Sequence, residues 1–232
     1  MTSQPAPFVI GIDGPSGSGK SSVSRAVATQ LAAGYLDTGA MYRALTWWCR
    51  HSEIDLADAA AIARAAVELP LVIGDDPQAP TVHVDGTDIA EAIRDSEISS
   101  LVSTVATVPE VRVEMQRRQR ELIELIAARH GACVAEGRDV TTVIAPDAPV
   151  RILLTASEEA RLRRRSLEVH GATDNAAIDA TRDQVLRRDR DDSTVSQFTI
   201  AADGVTVVDT SDLDFDGSVS AVMEVVNAAR QR

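Results

Sequence analysis

The segment whose residues most clearly suggest a chemical role is 14–21. It reads Gly-Pro-Ser-Gly-Ser-Gly-Lys-Ser and matches the pattern G-x-x-x-x-G-K-S. Its glycines let backbone N–H groups approach phosphate oxygens, and the Ser21 hydroxyl falls where a magnesium ligand is expected. Lys20 is the only lysine in the chain, and its compact ammonium can reach between nucleotide phosphates where a planar guanidinium cannot. The segment therefore predicts a phosphate loop that binds ATP or GTP. The residues predicted to contact the nucleotide are Gly14, Pro15, Ser16, Gly17, Ser18, Gly19, Lys20, Ser21 and Ser22.

The elements on both sides of this loop support the prediction. Residues 8–12 form an apolar, β-branched run of strand length, and 22–31 carries apolar residues at helical spacing. The helix N-terminus adds partial positive charge where the phosphates would lie. The alternative is a flexible Gly/Ser turn that matches the pattern by accident, and such a turn would not need a strand before it and a helix after it.

Two further clusters combine acidic and arginine side chains, 37–43 after a predicted strand and 136–139 after a buried one. Because ligands bind beyond the carboxyl ends of parallel strands, both should lie beside the phosphate loop. A third cluster, 187–193, ends a predicted helix. Each has a simpler interpretation, respectively an N-cap turn, a loop ion pair and a solvated helix face, and these alternatives remain open.

Arginines are concentrated in one part of an otherwise acidic chain. They are Arg161, Arg163, Arg164, Arg165, Arg182, Arg187, Arg188 and Arg190. Phosphoryl transfer requires positive groups around a migrating phosphoryl group, and arginines on a mobile segment can close over it and exclude water. The cluster predicts an arginine-rich lid over a phosphoryl-transfer site.

The composition limits the classes of function. A net charge of −12 over 232 residues argues against general nucleic-acid or membrane binding, which depends on positive charge. Cys49 and Cys133 lack metal-ligand spacing and are predicted to be buried apolar residues. No apolar run reaches the length of a membrane span, and 1–7 does not resemble a signal peptide. We expect a cytoplasmic monomer that binds small molecules and neither nucleic acid nor membrane.

The order of predicted elements indicates an α/β fold with an insertion. The predicted strands are 8–12, 35–37, 69–73, 81–84, 132–135, 150–154 and 205–208. The predicted helices are 22–31, 39–51, 58–68, 109–129, 158–169, 178–190 and 217–229. Strands 69–73 and 81–84 are separated by a turn rich in Gly, Asp and Pro, which favours a small antiparallel piece within an inserted subdomain, 41–108.

Five segments together resemble the bacterial cytidylate kinase family, the P-loop nucleoside monophosphate kinases that phosphorylate CMP and dCMP with ATP. They are 12–17, 36–43, 136–139, 145–150 and 188–194. The resemblance runs through nearly the whole chain. It implies a parallel-sheet core flanked by helices (8–40, 109–156 and 194–232), a monophosphate-binding insert with a small antiparallel sheet (41–108) and a helical lid (157–193). It also implies Mg²⁺ as the cofactor.

The resemblance implies roles for individual residues. Lys20, Arg164 and Arg188 would be catalytic, with Arg164 at the donor nucleotide and Arg188 bridging the two phosphates. Ser21 and Asp37 would position magnesium. The implied CMP-binding residues are Thr38, Tyr42, Arg43, Arg112, Arg138, Asp139, Arg188 and Asp192.

The chain departs from the family at the end of the lid. Family members usually continue Asp-Ser-Thr with an arginine and then Pro-Leu, whereas this chain has Val195 after Thr194. The missing arginine predicts weaker binding of the acceptor phosphate, with Arg190 as the expected replacement. Glu136 stands where some relatives carry aspartate. The alternatives are a kinase of another small acceptor, such as UMP, and a nucleotide-dependent switch without catalysis.

Overall fold

The computed structural model describes residues 7–231, except for the side chains of Glu168, His170, Asn175, Ala180, Asp183, Gln184 and Arg188. Its centre is a five-stranded sheet with the order β2-β6-β1-β7-β8, in which every pairing is parallel. The strands are β1 (Phe8–Asp13), β2 (Gly34–Asp37), β6 (Ala132–Gly137), β7 (Val150–Thr155) and β8 (Thr206–Asp209). The predicted α/β class with a parallel sheet is confirmed.

Eight α-helices are described around this sheet. They are α1 (Lys20–Gln30), α2 (Thr38–His51), α3 (Ala59–Glu68), α4 (Ser96–Ala106), α5 (Pro109–His130), α6 (Glu158–His170), α7 (Asn175–Ser193) and α8 (Phe215–Arg230). Strands buried on both faces need helices on both sides, and the core accordingly forms two clusters. One joins α2, α3, α4 and α5 to the sheet, and the other packs α1 and α8 against the opposite face.

A small antiparallel sheet of three strands lies in the segment predicted as an insertion. Its strands are β3 (Leu71–Ile73), β4 (Val82–Val84) and β5 (Thr87–Asp88). Val82 and Val84 are buried in the same cluster as α2 and α5, so this sheet packs directly on the helical layer of the core. The predicted domain boundaries themselves stay a prediction.

Helix α4 was not predicted from the sequence. Its residues include four serines and a threonine, which favour caps and turns over helix interiors. Ile98, Val102 and Val105 nevertheless fall at helical spacing and are buried. Tertiary packing of this apolar face therefore outweighs weak local propensity.

Other elements differ from the predictions at their ends. Helix α8 begins at Phe215 because the Asp214 side chain accepts a hydrogen bond from the Gly217 N–H at 2.8 Å, so the cap lies before the predicted start. Residues Val140–Ile144 form a π-helical turn where no element was predicted.

Cys49 and Cys133 are buried free thiols, as expected. Within 7–231, no helix is both long and apolar enough to cross a membrane.

Asp13, the last residue of β1, holds the π-helical turn in place. Its carboxylate accepts hydrogen bonds from the backbone N–H of Val140 (3.0 Å) and of Thr141 (2.7 Å) and from the Thr141 hydroxyl (2.6 Å). Burial raises the pKa of Asp13 to about 6, although these donors oppose the shift. The carboxylate thereby fixes the chain that follows Asp139 onto the central strand.

The raised pKa predicts how Asp13→Asn should change stability with pH. A carboxyl whose pKa is higher in the folded than in the unfolded protein contributes more stability as the pH falls through about 6. Asn cannot titrate, so the free energy of unfolding of the native protein, minus that of the variant, should increase by about 2 kcal/mol between pH 7 and pH 4.5. Urea denaturation across this range measures it. Parallel pH curves for the two proteins would show that Asp13 does not titrate as described.

Candidate active site

A cleft of about 780 Å³ lies at the carboxyl ends of β1, β2 and β6. It is lined by the phosphate loop, the start of α2, the segment after β6, the insert and the lid. Most of the predicted site residues meet here. Those on its wall are Ser16, Gly17, Gly19, Lys20, Ser21, Ser22, Asp37, Thr38, Tyr42, Arg43, Arg112, Arg138, Asp139 and Asp192.

Four predicted residues are not on this wall. They are Gly14, Pro15, Ser18 and Arg164. The side chain of Arg188, predicted to bridge the phosphates, lies outside the described residues.

The glycines of the phosphate loop are required by backbone geometry. Gly17 and Gly19 have φ angles of 75° and 87°, in the left-handed region that side chains rarely adopt. A Cβ atom at Gly17 would also lie 2.6 Å from the carbonyl oxygen of Arg161. Lys20 follows directly as the first residue of α1, so the ammonium and the positive end of the helix face the same cleft.

Glu136 is the site residue to which sequence analysis gave no role. It is 1% exposed, and its Oε1 accepts a hydrogen bond from the Tyr35 hydroxyl at 2.7 Å. Its Oε2 lies 3.8 Å from Lys20 Nζ and accepts no hydrogen bond from any described residue. Burial and the neighbouring carboxylate raise the pKa of Tyr35, which keeps its hydroxyl protonated as a donor. The sequence signal was the acidic residue one position before the end of a buried strand.

Asp37 combines two structural contacts. Its Oδ1 caps α2 by accepting from the Ala40 N–H at 2.9 Å, and its Oδ2 pairs with Arg43 Nη2 at 2.7 Å. Burial alone would raise the pKa of Asp37, but Arg43, the Ala40 N–H and the charges of Lys20 and Arg94 together hold the pKa below its usual range. The N-cap interpretation is therefore correct, and the same carboxylate also orients Arg43 at the cleft.

Arg112 and Asp139 form a pair on the acceptor side. Arg112 Nη2 lies 2.6 Å from Asp139 Oδ2 and donates to the Ser196 hydroxyl at 3.1 Å. Gln116 Nε2 donates to the same Asp139 oxygen at 3.2 Å. Burial raises the pKa of Asp139, while Arg112 opposes the shift. The pair presents guanidinium donors next to a carboxylate acceptor at the wall of the cleft.

Arg138 connects the phosphate loop to the lid. It donates to the carbonyl oxygen of Gly14, and its Nε lies 3.1 Å from Asp192 Oδ2. Its guanidinium carbon also stands 4.6 Å from the centre of the Phe198 ring, a cation–π distance. The residue predicted at the cytidine is therefore also a structural link across the site.

Arg164 donates to carbonyl oxygens and to one hydroxyl. Its Nη1 contacts Ser18 O (3.2 Å) and Thr210 Oγ1 (2.9 Å), and its Nη2 contacts Thr210 O (2.6 Å) and Leu213 O (3.1 Å). In this arrangement it supports the back of the phosphate loop. Its predicted role at the donor nucleotide stays a prediction.

Val195 and Ser196 line the cleft at the position of the missing lid arginine. Arg190, the expected replacement, is exposed and is not among the lining residues, whereas Arg94 and Arg165 are. Arg94 also contributes to the lowered pKa of Asp37, which places its charge near Arg43. Arg94 was not predicted as a site residue because it lies in a short 3-10 turn, Ala92–Arg94, for which no element was predicted.

Comparison with known proteins agrees with the geometry. A sequence model of the cytidylate kinase family matches residues 10–228. A cytidylate kinase of Streptomyces avermitilis is 47% identical over 96% of this chain and 94% of its own length. One of Corynebacterium glutamicum is 43% identical over 97% and 96%. A solved structure of an uncharacterized protein from Eubacterium ventriosum ATCC 27560 aligns with a TM-score of 0.51 at 12% identity, over 97% of this chain and 99% of that one, which supports the fold alone.

Proposed function

The chain belongs to the cytidylate kinase family, and we propose that it transfers the γ-phosphoryl group of ATP to CMP or dCMP, giving ADP and CDP or dCDP. One observation carries this proposal: most of the phosphate loop and every described side chain predicted to bind the monophosphate line one cleft. A nucleotide-dependent switch would need the loop but not a second pocket beside it.

The donor side is formed by the loop and the start of α1. Backbone N–H groups of the loop bind the β-phosphate oxygens, and Lys20 neutralises charge that develops between the β- and γ-phosphates. Lys20 is held close to Glu136, so its ammonium is kept at the floor of the cleft. The transferred group therefore meets a positive charge that is positioned before the reaction begins.

The residues around Lys20 and Glu136 also fit magnesium bound together with ATP. No group of three or more His, Cys, Asp or Glu is placed to hold a metal within the described part of the chain. The nucleotide phosphates would supply most ligands of an ion that binds with ATP. Ser21 lines the cleft, and the buried Glu136 Oε2 accepts no hydrogen bond from a described residue. We infer that Ser21 and Asp37, the residues predicted to position magnesium, would hold the hydrated ion together with Glu136, since all three line the same part of the cleft. The ion supplies charge neutralisation on the phosphates.

The acceptor side positions the nucleophile. Arg43, oriented by Asp37, and Arg94 bind the CMP phosphate. A phosphate oxygen of CMP then forms a bond to the γ-phosphorus while the bond from that phosphorus to the bridging oxygen of ADP breaks. The arginines hold the two negatively charged reactants together and in line, which is the main contribution a protein makes to this reaction.

The Arg112 and Asp139 pair predicts the base preference. Cytosine presents an N3 acceptor beside an N4 amino donor, which complements a guanidinium beside a carboxylate, whereas uracil presents the reverse pattern. Each mismatched buried group costs about 1–3 kcal/mol. We expect kcat/KM for CMP to exceed that for UMP by at least about tenfold. An ADP-release assay with CMP, dCMP, UMP, AMP and GMP tests the proposal, and equal values for UMP and CMP would rule out this base site.

A further inference from the structure

Asp189 is a buried carboxylate of the lid helix α7 that contacts the phosphate loop directly. Its Oδ1 accepts a hydrogen bond from the Ser16 backbone N–H at 2.9 Å, and its Oδ2 accepts one from Arg161 Nη1. Arg138 Nη2 lies 3.4 Å from the same Oδ1. One side chain therefore joins the loop, α6, α7 and the segment after β6.

Arg161 completes this connection from the neighbouring helix. Besides its contact with Asp189, it donates to the Ser16 carbonyl oxygen at 3.0 Å. Both polar backbone groups of Ser16 are thus bound by the Asp189 and Arg161 pair. The backbone of α6 also packs against the loop, since a Cβ atom at Gly17 would lie 3.2 Å from the Arg161 Cα. The base of the lid and the first half of the phosphate loop are held in one arrangement.

The position of Asp189 on α7 connects the donor side to the acceptor side. Arg188 precedes it, and Asp192 follows less than one helical turn later; both are predicted to contact the acceptor. Asp192 is in turn bound to Arg138. Fixing Asp189 to Ser16 therefore fixes the distance of this turn of α7, and of Asp192 on it, from the loop that holds the donor phosphates.

We propose that Asp189 is a positioning residue for phosphoryl transfer, which sets the separation between the donor phosphate loop and the acceptor-binding groups of α7. This inference rests on the proposed function. In-line transfer is sensitive to separation, and a displacement of about 1 Å can cost about a hundredfold in rate. Asp189 acts by holding Ser16, Arg161 and Arg138 in place, so its effect should fall on kcat more than on the binding of either nucleotide.

The test is Asp189→Asn, with Asp191→Asn as the matched control on the same helix. Asp191 is not among the residues that line the cleft. When the side-chain amide of the variant keeps its oxygen on the Ser16 N–H, it turns its N–H donors toward Arg161. We expect kcat to fall about 10- to 50-fold, while the Kd values of ATP and CMP from calorimetry change less than about threefold. The ratio of inorganic phosphate to CDP should rise, because a displaced lid admits water. The control should retain native kcat.

Arg161→Met removes the contact between Arg161 and Asp189 from the Arg161 side. This variant provides the test if Asp189→Asn does not fold. The kcat losses of the two variants should not multiply in the double variant, because both break one connection. A kcat within twofold of the native value in folded Asp189→Asn overturns the inference. Tighter ATP binding with kcat retained also overturns it, because Asp189 would then compete with ATP for the phosphate loop. Multiplying losses in the double variant also overturn it. A native protein without CMP kinase activity overturns the proposed function and this inference together, whereas the other outcomes count against Asp189 alone.

Discussion

Lys20→Arg should reduce kcat at least about a hundredfold while leaving the fold intact. The exchange keeps the charge and changes only reach and shape. In addition, the guanidinium would lie beside Glu136, whose Oε2 is buried and 3.8 Å from the native ammonium. A bidentate pair with that carboxylate would hold the charge away from the phosphates. Loss of one transition-state contact to phosphate is worth about 3 kcal/mol, which corresponds to the stated factor.

Steady-state kinetics with saturating ATP and CMP measure this effect, and circular dichroism confirms the fold. Arg163→Lys provides a control that makes the reverse exchange at an exposed position of α6, where Arg163 pairs only weakly with the exposed Glu159. The control should match the native protein. If the kcat of Lys20→Arg were within threefold of the native value, the phosphate loop would not take part in catalysis.

Asp139→Ala should lower kcat/KM for CMP about a hundredfold and reduce the preference for CMP over UMP. The change removes the acceptor beside Arg112 and leaves that guanidinium, now without its 2.6 Å partner, in a half-buried position. A charge-assisted hydrogen bond of this kind contributes about 1.5–3 kcal/mol. Uracil does not form it, because uracil presents the reverse pattern of donor and acceptor. The loss for UMP should therefore be several-fold smaller than the loss for CMP.

Asp147→Asn is a suitable control, because Asp147 lies exposed in the loop before β7 and is not among the residues that line the cleft. Kinetics with both acceptors are compared for the native protein, the variant and the control. If CMP and UMP lose activity by the same factor in Asp139→Ala, the pair supports the fold of the site and does not read the base.

Sequence patterns predicted the parallel sheet and the position of the cleft because both depend on local signals. Buried strands bounded by glycine and charged residues, such as the one that ends at Gly137, place their following residues at one edge of the sheet. The phosphate loop was predictable for the same reason, since Gly17 and Gly19 are dictated by backbone conformation within the loop itself. These features need no knowledge of distant contacts.

The remaining features depend on contacts between segments far apart in the chain. Glu136 gains its place in the site from Tyr35 and Lys20, each about a hundred residues away. Asp189 contacts Ser16 across 173 positions. Helix α4 forms because its apolar face is covered by the core, although its composition favours turns. No local pattern signals such pairings, so the sequence identified the residues of the site more fully than their partners.

We propose that one cleft transfers phosphoryl groups from ATP to a cytidine monophosphate, and the fate of labelled phosphate distinguishes this transfer from hydrolysis. The purified protein is incubated with γ-³²P-labelled ATP, Mg²⁺ and CMP, and the products are separated by chromatography, with Lys20→Arg in parallel. We predict that the label appears in CDP, that little is released as inorganic phosphate, and that CMP is required for turnover. Label found in inorganic phosphate at the same rate with and without CMP, and none in CDP, would show that the protein hydrolyses ATP and does not phosphorylate CMP.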